Sequence, residues 1–270
     1  MKRFFIFLLF IFPIFLLGEI KIRNFSYSSF DLEVTTPQPT ILKKETPEGI
    51  FSEVIFPASG RTDIVGKPLL PILREFIEIP EGAEVKIFVK NYKKEEIKLN
   101  FPVYPLQPPI PKTGPAPVWT KDEEFYRRDQ FFPAEVVNLV SSGYIRAHRV
   151  AVLEISPVRY NPQRGIIEFY PYLELEIKTE GGNISKTLDN LRNWYSLPFE
   201  KRLSDLILNY RYYEIDPPNL PIGYLIIVPD EWSNNILPLA QWRWRKGYKT
   251  WVKTLSEVGG GQANTVRNYI

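Results

Sequence analysis

The chain has 270 residues, 44% of them hydrophobic and 14% aromatic, with 34 basic against 31 acidic side chains and no cysteine. That length suits about two domains, and a near-balanced charge without a basic block argues against nucleic acid as a partner. The missing cysteines exclude disulfide staples, so burial must hold the fold, and they exclude a cysteine nucleophile within these residues.

The first residues read as a targeting segment. Met1-Lys2-Arg3 is basic, Phe4 to Leu17 is almost continuously apolar, and Gly18 is small enough for a signal peptidase. Fourteen helical residues reach about 21 Å, short of the ~30 Å hydrocarbon core, and Pro13 would break such a helix. A cleaved leader, residues 1–18, is therefore expected over an uncleaved anchor, and with it export to the cell surface or medium. No later segment is apolar enough for a stable membrane span. With Lys2 and Arg3 removed from the 34 basic residues, 32 remain against 31 acidic ones.

From Glu19 to about Gly182 the pattern is β, and the 25 prolines, with many Val, Ile, Tyr and Phe, suggest strands broken by turns. Short strands are expected at Ile50–Pro57 and within Leu69–Pro80. Glu84–Val89 alternates, as do Ile97 and Leu99, which puts one set of side chains in a core. Pro80-Glu81-Gly82 is a connection of hairpin length. Phe101 to Val118 is proline-rich and predicts an extended loop, read as a rigid connector or as an exposed binding arm. Two long strands follow, Tyr144–Ile155 and Gly165–Lys178, the second with Leu173, Leu175 and Ile177 on one side. Strands joined by short turns without helices predict an antiparallel β-sandwich, residues 19–184.

Past Gly181-Gly182 the spacing turns helical. Leu188, Leu191 and Tyr195, then Leu203, Leu206, Ile207 and Tyr210, predict two short helices separated near Pro198, a linker over 185–219. Asp216-Pro217-Pro218 marks a boundary. Beyond it Tyr224–Val228 is a bulky run without alternation, as in a strand buried on both faces. Trp232–Lys246 reads as a helix weakened early by Pro238 and ended at Gly247, with Ile236, Leu239, Ala240 and Trp242 or Arg243 as its apolar stripe. Tyr248–Leu255 is a second strand and Asn264–Ile270 a further helix. These predict the opening of an α/β domain, residues 220–270, whose remainder would lie beyond Ile270, so the sequence is expected to be a fragment.

Candidate chemistry is sparse. His148 is the one histidine. With no thiol and no GxSxG elbow, a structural or surface role is expected for it rather than a catalytic one. No HExxH, EF-hand loop or cysteine pair is present, so neither a metal nor a cofactor is expected. Gly259-Gly260-Gly261 lacks the phosphate-loop pattern and reads as a flexible loop. Asp230, just past a strand end, lies where open α/β sheets place ligands, with Ser256 and Glu257 near the end of the next strand. Helix capping is the plainer role for Asp230. Trp119, Phe125, Tyr126, Phe131 and Phe132 suggest an aromatic patch on a non-enzymatic sandwich that binds protein or glycan, although core packing is the usual fate of such rings.

Two stretches resemble the gingipain-like cysteine peptidases with their N-terminal propeptide. Gly66-Lys67-Pro68-Leu69-Leu70-Pro71, followed by Ile77-Glu78-Ile79-Pro80-Glu81-Gly82-Ala83, looks like that propeptide's signature. So do Phe132-Pro133-Ala134-Glu135, Ile145-Arg146 and the run Ile155 to Pro162. Tyr224 to Ile270 resembles the first strand, helix, strand and helix of the family's catalytic domain. The resemblance implies a β-sandwich propeptide that assists folding and blocks its own caspase-like catalytic domain in cis until cleaved, the full-length enzyme acting on protein substrates. The family's Cys-His dyad lies downstream of the matched segment, so no catalytic residue is carried over. Such propeptides can place a basic side chain in the specificity pocket, and Lys112 and Lys121, in and just after the proline-rich arm, are the candidates. Processing is expected after Arg202 or Arg211, with Arg211 the better placed if the mature domain starts near Asp216.

Overall fold

The computed structural model describes residues 18–57, 59–213, 215, 223–246 and 248–270. The apolar run of the expected leader, the Asp216-Pro217-Pro218 boundary and Gly247 lie outside the described residues. The strands in chain order are β1 (Glu19–Arg23), β2 (Ser29–Thr35), β3 (Thr40–Thr46), β4 (Gly49–Ile55), β5 (Gly60–Arg61), β6 (Pro71–Glu78), β7 (Glu84–Lys98), β8 (Val137–Ile145), β9 (His148–Ile155), β10 (Val158–Asn161) and β11 (Ile166–Glu180). Helices α1 (Ile184–Asn193) and α2 (Leu197–Leu206) follow. After them come β12 (Gly223–Val228), α3 (Leu237–Arg245), β13 (Lys249–Thr254) and α4 (Ala263–Tyr269). The chain divides into two compact units, one of residues up to 194 with 199–215, the other of 195–198 with the residues from 216 onward.

The first unit is an antiparallel β-sandwich. In one sheet β11 is central: β7 runs along one side of it, while β2 and β10 share the other side end to end, and β1 flanks β2. The hand-over falls at Pro171, between Phe169, paired with β10, and Tyr172, paired with β2. The ladder to β7 shifts register at the same place. Proline lacks the N–H a continuous ladder would use, and here no partner asks for it. The second sheet has the order β5-β6-β9-β8.

Alternation explains how the sheets meet. Leu173, Leu175 and Ile177 from β11 and Phe30, Leu32 and Val34 from β2 pack in one core with Ile77 from β6 and Ala151, Leu153 and Ile155 from β9. Each such buried side chain contributes about 1.5–3 kcal/mol relative to exposure, which is how a chain without disulfides holds this fold. A second core lies under the end of β4 away from its hairpin turn, where Val54, Phe56, Leu70, Val103, Tyr160 and Phe169 meet.

The structure corrects three sequence expectations. Tyr144–Ile155 is not one strand but the hairpin of β8 and β9, with Ile145 opposite His148 across a two-residue turn. Arg146 takes φ 57° there, a left-handed conformation usually left to Gly, Asn or Asp, so no punctuation marked the turn. Glu84–Val89 and Ile97 belong to one strand, β7. Finally, Pro80-Glu81-Gly82 joins no hairpin: β6 pairs with β9 and β7 with β11, so the short connection crosses between sheets.

The helices after β11 dock on the sandwich. Leu191 of α1 packs with Ala147 and Tyr213, and Leu203 of α2 packs with Ile207 and Val150. The α1 start is capped by Asn183, whose side chain accepts from the Lys186 amide at 2.9 Å. Pro198 sits in the first turn of α2 rather than between the helices.

In the second unit β12 and β13 pair in parallel, with α3 between them in sequence. The regular helix begins at Leu237, with Pro238 in its first turn, and a 3-10 turn covers Asp230–Trp232. Ala240 is the one buried residue of α3, so the expected stripe is mostly exposed. Asp230 makes no capping bond. Its carboxylate instead accepts from the Ser256 amide at 3.2 Å, tying the ends of the two parallel strands together.

Candidate functional site

The proline-rich segment is fastened at both feet and free in between. Its first residues lie against β4 and the Gly66–Leu70 motif: Tyr104 N–H donates to Ser52 O, Leu69 N–H to Tyr104 O and Leu106 N–H to Lys67 O. The far foot returns to the same motif, where Asp122 N–H donates to Gly66 O at 3.0 Å and the Lys67 ammonium lies 2.7 Å from the Asp122 carboxylate. Gly66 has φ +83°, and a Cβ there would meet the Asp122 amide nitrogen at 3.2 Å. Only glycine suits that conformation and that approach.

Between the feet a side chain closes the neck. Gln107 donates to Thr120 O at 2.8 Å and accepts from Thr120 N–H at 2.9 Å, which copies a backbone pair with an amide side chain. Beyond this neck Ile110 and Val118 are each 83% exposed. Lys112 is exposed between them and makes no hydrogen bond or ion pair among the described residues. Lys121 differs: Glu123 holds its ammonium at 3.1 Å and it lies 5.0 Å from the Tyr126 ring centre. Of the two lysines, the structure leaves Lys112 projecting and Lys121 engaged.

The suggested aromatic patch does not form. Phe125 is buried, Tyr126 and Phe132 pack on the second core, and the Tyr126 hydroxyl donates to Val103 O at 2.6 Å. Burial pushes the Tyr126 phenol well above its usual range. Trp119 packs against Phe51 and Tyr104, and Phe131 lies under Arg159.

His148 is buried, as a structural histidine would be. Its Nδ1 lies 3.0 Å from Glu78 Oε1 and its Nε2 lies 3.0 Å from Glu200 Oε2. Burial alone would lower its pKa, but the hydrogen bonds and charges of Glu78 and Glu200 outweigh burial and hold it above the usual histidine value. Burial also raises Glu78, more than His148 lowers it. Neither glutamate was singled out in the sequence. Of the candidate processing residues, Arg202 is exposed on α2, and Arg211 is exposed in the 3-10 turn Tyr210–Tyr212, where it donates to the Tyr212 hydroxyl at 2.8 Å. Among the described residues there is no His, Cys, Asp and Glu grouping fit to hold a metal, and no helix long and apolar enough to cross a membrane.

The sandwich thus projects one tethered arm and buries its single histidine. The family Propeptide_C25 matches residues 25–203, and the chain belongs to this gingipain propeptide family. It is 26% identical over 248 residues to Lys-gingipain of Porphyromonas gingivalis, covering 89% of this chain and 14% of that protein. It is 22% identical over 230 residues to gingipain R2 of the same species, covering 84% of this chain and 31% of the relative. The chain thus spans about one-seventh to one-third of these relatives. Among solved structures, the complex of the P. gingivalis RgpB pro- and mature domains matches with TM-score 0.60 at 20% identity, over 72% of this chain and 97% of the other. A structure describing zymogenic latency of gingipain K from P. gingivalis matches with TM-score 0.54 at 27% identity, over 61% and 93%.

Proposed function

We propose that this chain is the N-terminal part of an exported gingipain-like cysteine endopeptidase zymogen. Residues 19–184 form the prodomain, 185–219 carry the processing region and 220–270 open the catalytic domain. In this reading the prodomain assists folding of the catalytic domain and keeps it latent, with that domain as its partner in cis and proteins as the substrates of the released enzyme. The leader in residues 1–18 would export the precursor to the cell surface or medium.

The observation that carries the inhibitory part is Lys112. It stands unpaired on a loop whose ends are fixed and whose prolines are already extended, so little chain entropy is lost when it enters a pocket. Lys121 would first have to give up Glu123 and the Tyr126 face. Processing is assigned to Arg211 because it lies nearer the expected start of the mature domain at Asp216, and its 3-10 turn is shorter to unwind than the ten-residue helix that holds Arg202.

The test is inhibition in trans. The chain is titrated against the mature peptidase of its own precursor, and the new N-terminus of that peptidase is sequenced. Lys112→Ala is expected to weaken inhibition at least about tenfold, the scale of one desolvated hydrogen-bonded charge, while Lys121→Ala changes it little. Equal inhibition by parent and both variants would remove the arm from the mechanism, and a mature start upstream of Asn183 would move the processing site.

A further inference from the structure

Inhibition through the arm makes no use of the buried histidine, yet this is the most enclosed set of titratable groups in the sandwich unit. His148, on β9, is 3% exposed, Glu78, on β6, is fully buried and Glu200, on α2, is 8% exposed. The Tyr210 hydroxyl donates to the same Glu200 oxygen at 2.9 Å, and its ring centre lies 5.7 Å from the imidazole. The trio therefore joins the second sheet to the segment that follows α1.

Counting protons defines what it can do. Both ring nitrogens face carboxylate oxygens, so two hydrogens must lie between the three groups. An imidazolium with two carboxylates satisfies this, as does a neutral imidazole with one protonated acid. Either holds one proton more than a neutral imidazole between two carboxylates. Removing it sets a nitrogen lone pair against a carboxylate oxygen where water cannot enter, which forfeits a bond and leaves buried groups unsatisfied.

No other group replaces that proton. From β6 the imidazole faces Glu78, from α2 Glu200, and from the 3-10 turn Tyr210; the Tyr213 phenol senses Glu78 from beyond it. β8 sets Ile145 opposite it, and α1 brings Leu191 to the neighbouring Ala147. The nearest cations in sequence are engaged elsewhere, Arg146 over the Phe199 ring and Arg149 on the carbonyls of Pro80 and Ala83.

We propose that this shared proton is a latch: while bound it closes α2 and the Asn209–Tyr213 segment onto the outer face of the second sheet, and its loss as pH rises releases them and opens Lys201 to Arg211 to a peptidase specific for basic residues. The direction follows from the folded state. His148 and Glu78 both titrate above their ordinary values. The contribution of His148 is whole below about pH 6.5 and that of Glu78 below about 4.5, and each is lost as pH rises through its raised value. Without it α2 and the segment after it are held by Leu203 and Ile207 against Val150, by the Leu208 amide on Phe76 O and by the Asn209 side chain on the Glu78 backbone. The purpose of the latch rests on the processing reading above, but its chemistry does not.

The 270-residue chain is digested with trypsin between pH 6 and 9 and the cuts after Lys201, Arg202 and Arg211 are timed by mass spectrometry. Each rate is divided by that of a free peptide of the same sequence, which removes the pH dependence of trypsin. The normalised rate is expected to be flat at low pH and to rise about tenfold per pH unit once the proton leaves. His148 is the only histidine, so its single imidazole resonance reports the same midpoint directly. In Glu200→Gln an amide nitrogen in the place of Oε2 donates one N–H to a neutral imidazole and the other to the Tyr210 oxygen, so the latch closes without the proton. Its normalised rate at pH 9 is expected to stay within about twofold of that at pH 6. A flat parent profile, a Glu200→Gln slope equal to the parent's, or an imidazole titrating below 6.5 overturns the proposal, and the last of these needs no variant to fold. A matured enzyme cut elsewhere, with the pH profile intact, refutes only the assignment of Arg211 and leaves the latch standing.

Discussion

Asn209 serves as a fragment of strand. It is fully buried, its Oδ1 accepts the Glu78 amide at 2.6 Å and its Nδ2 donates to the Glu78 carbonyl at 2.9 Å. Both backbone groups of Glu78 would otherwise face a closed interior. Asn209→Ala leaves a donor and an acceptor unpaired, each worth about 1–3 kcal/mol, and is expected to cost about 2–4 kcal/mol. The measurement is a urea midpoint that falls with an unchanged slope, and a loss below about 1 kcal/mol would mean that the segment shifts or water enters to replace the amide. None of this is legible in the sequence. An asparagine in LILNYR carries no periodic signal, and its partner lies 131 residues away. His148 was legible as structural because no nucleophile accompanied it, but its glutamates stand 70 and 52 residues distant. Residue type shows what chemistry is available, whereas burial and partners depend on the closed fold.

Strands and loops were more readable where the period continued and less so where a partner had to be chosen. The alternation of Leu173, Leu175 and Ile177 gave the correct inner face of β11, because one buried face imposes a period of two. The same period cannot say whether Pro80-Glu81-Gly82 folds back or crosses over, since either keeps the alternation. It also ran through Arg146, where a turn without glycine leaves no mark. The proline-rich arm was legible as extended, but not its neck, because Gln107 and Thr120 meet only once both feet are fixed on the Gly66 motif. The neck gives the prediction at this scale. Gln107→Ala removes both bonds to Thr120 and leaves Lys67–Asp122 and the Gly66 contacts in place. Amide exchange across 108–120 is expected to accelerate at least about fivefold, the loss of one bond of about 1 kcal/mol, while exchange in β11 is unchanged. Unaltered exchange in the arm would show that the prolines alone hold it.

The fold class was legible at the scale of the whole molecule because the two kinds of hydrophobic pattern, alternating and continuous, occupy different stretches of chain. The balance of its titrating groups was not, since that depends on which charges the fold brings together. They form two sets of opposite effect. Asp31 is held below the usual aspartate range by the Asn24 side chain and by Lys90, against its burial, and Asp122 by Lys67 and the Phe125 amide. Groups lowered in this way stabilise the fold above their unfolded value near 4 and lose that contribution as pH falls through the folded value. His148 and Glu78 are raised, so the contribution of His148 is complete below about 6.5 and that of Glu78 below about 4.5, and both disappear as pH climbs. Together the two sets predict a stability maximum between about pH 4 and 6.5, with losses on both sides. Thermal melts at constant ionic strength should trace that dome. The variants should divide it: Asp31→Asn flattens part of the acid limb and leaves the alkaline one, and Glu200→Gln does the reverse. A melting temperature that rises steadily from pH 5 to 9, or an alkaline limb indifferent to Glu200→Gln, would mean that the buried trio does not set the upper limit of stability.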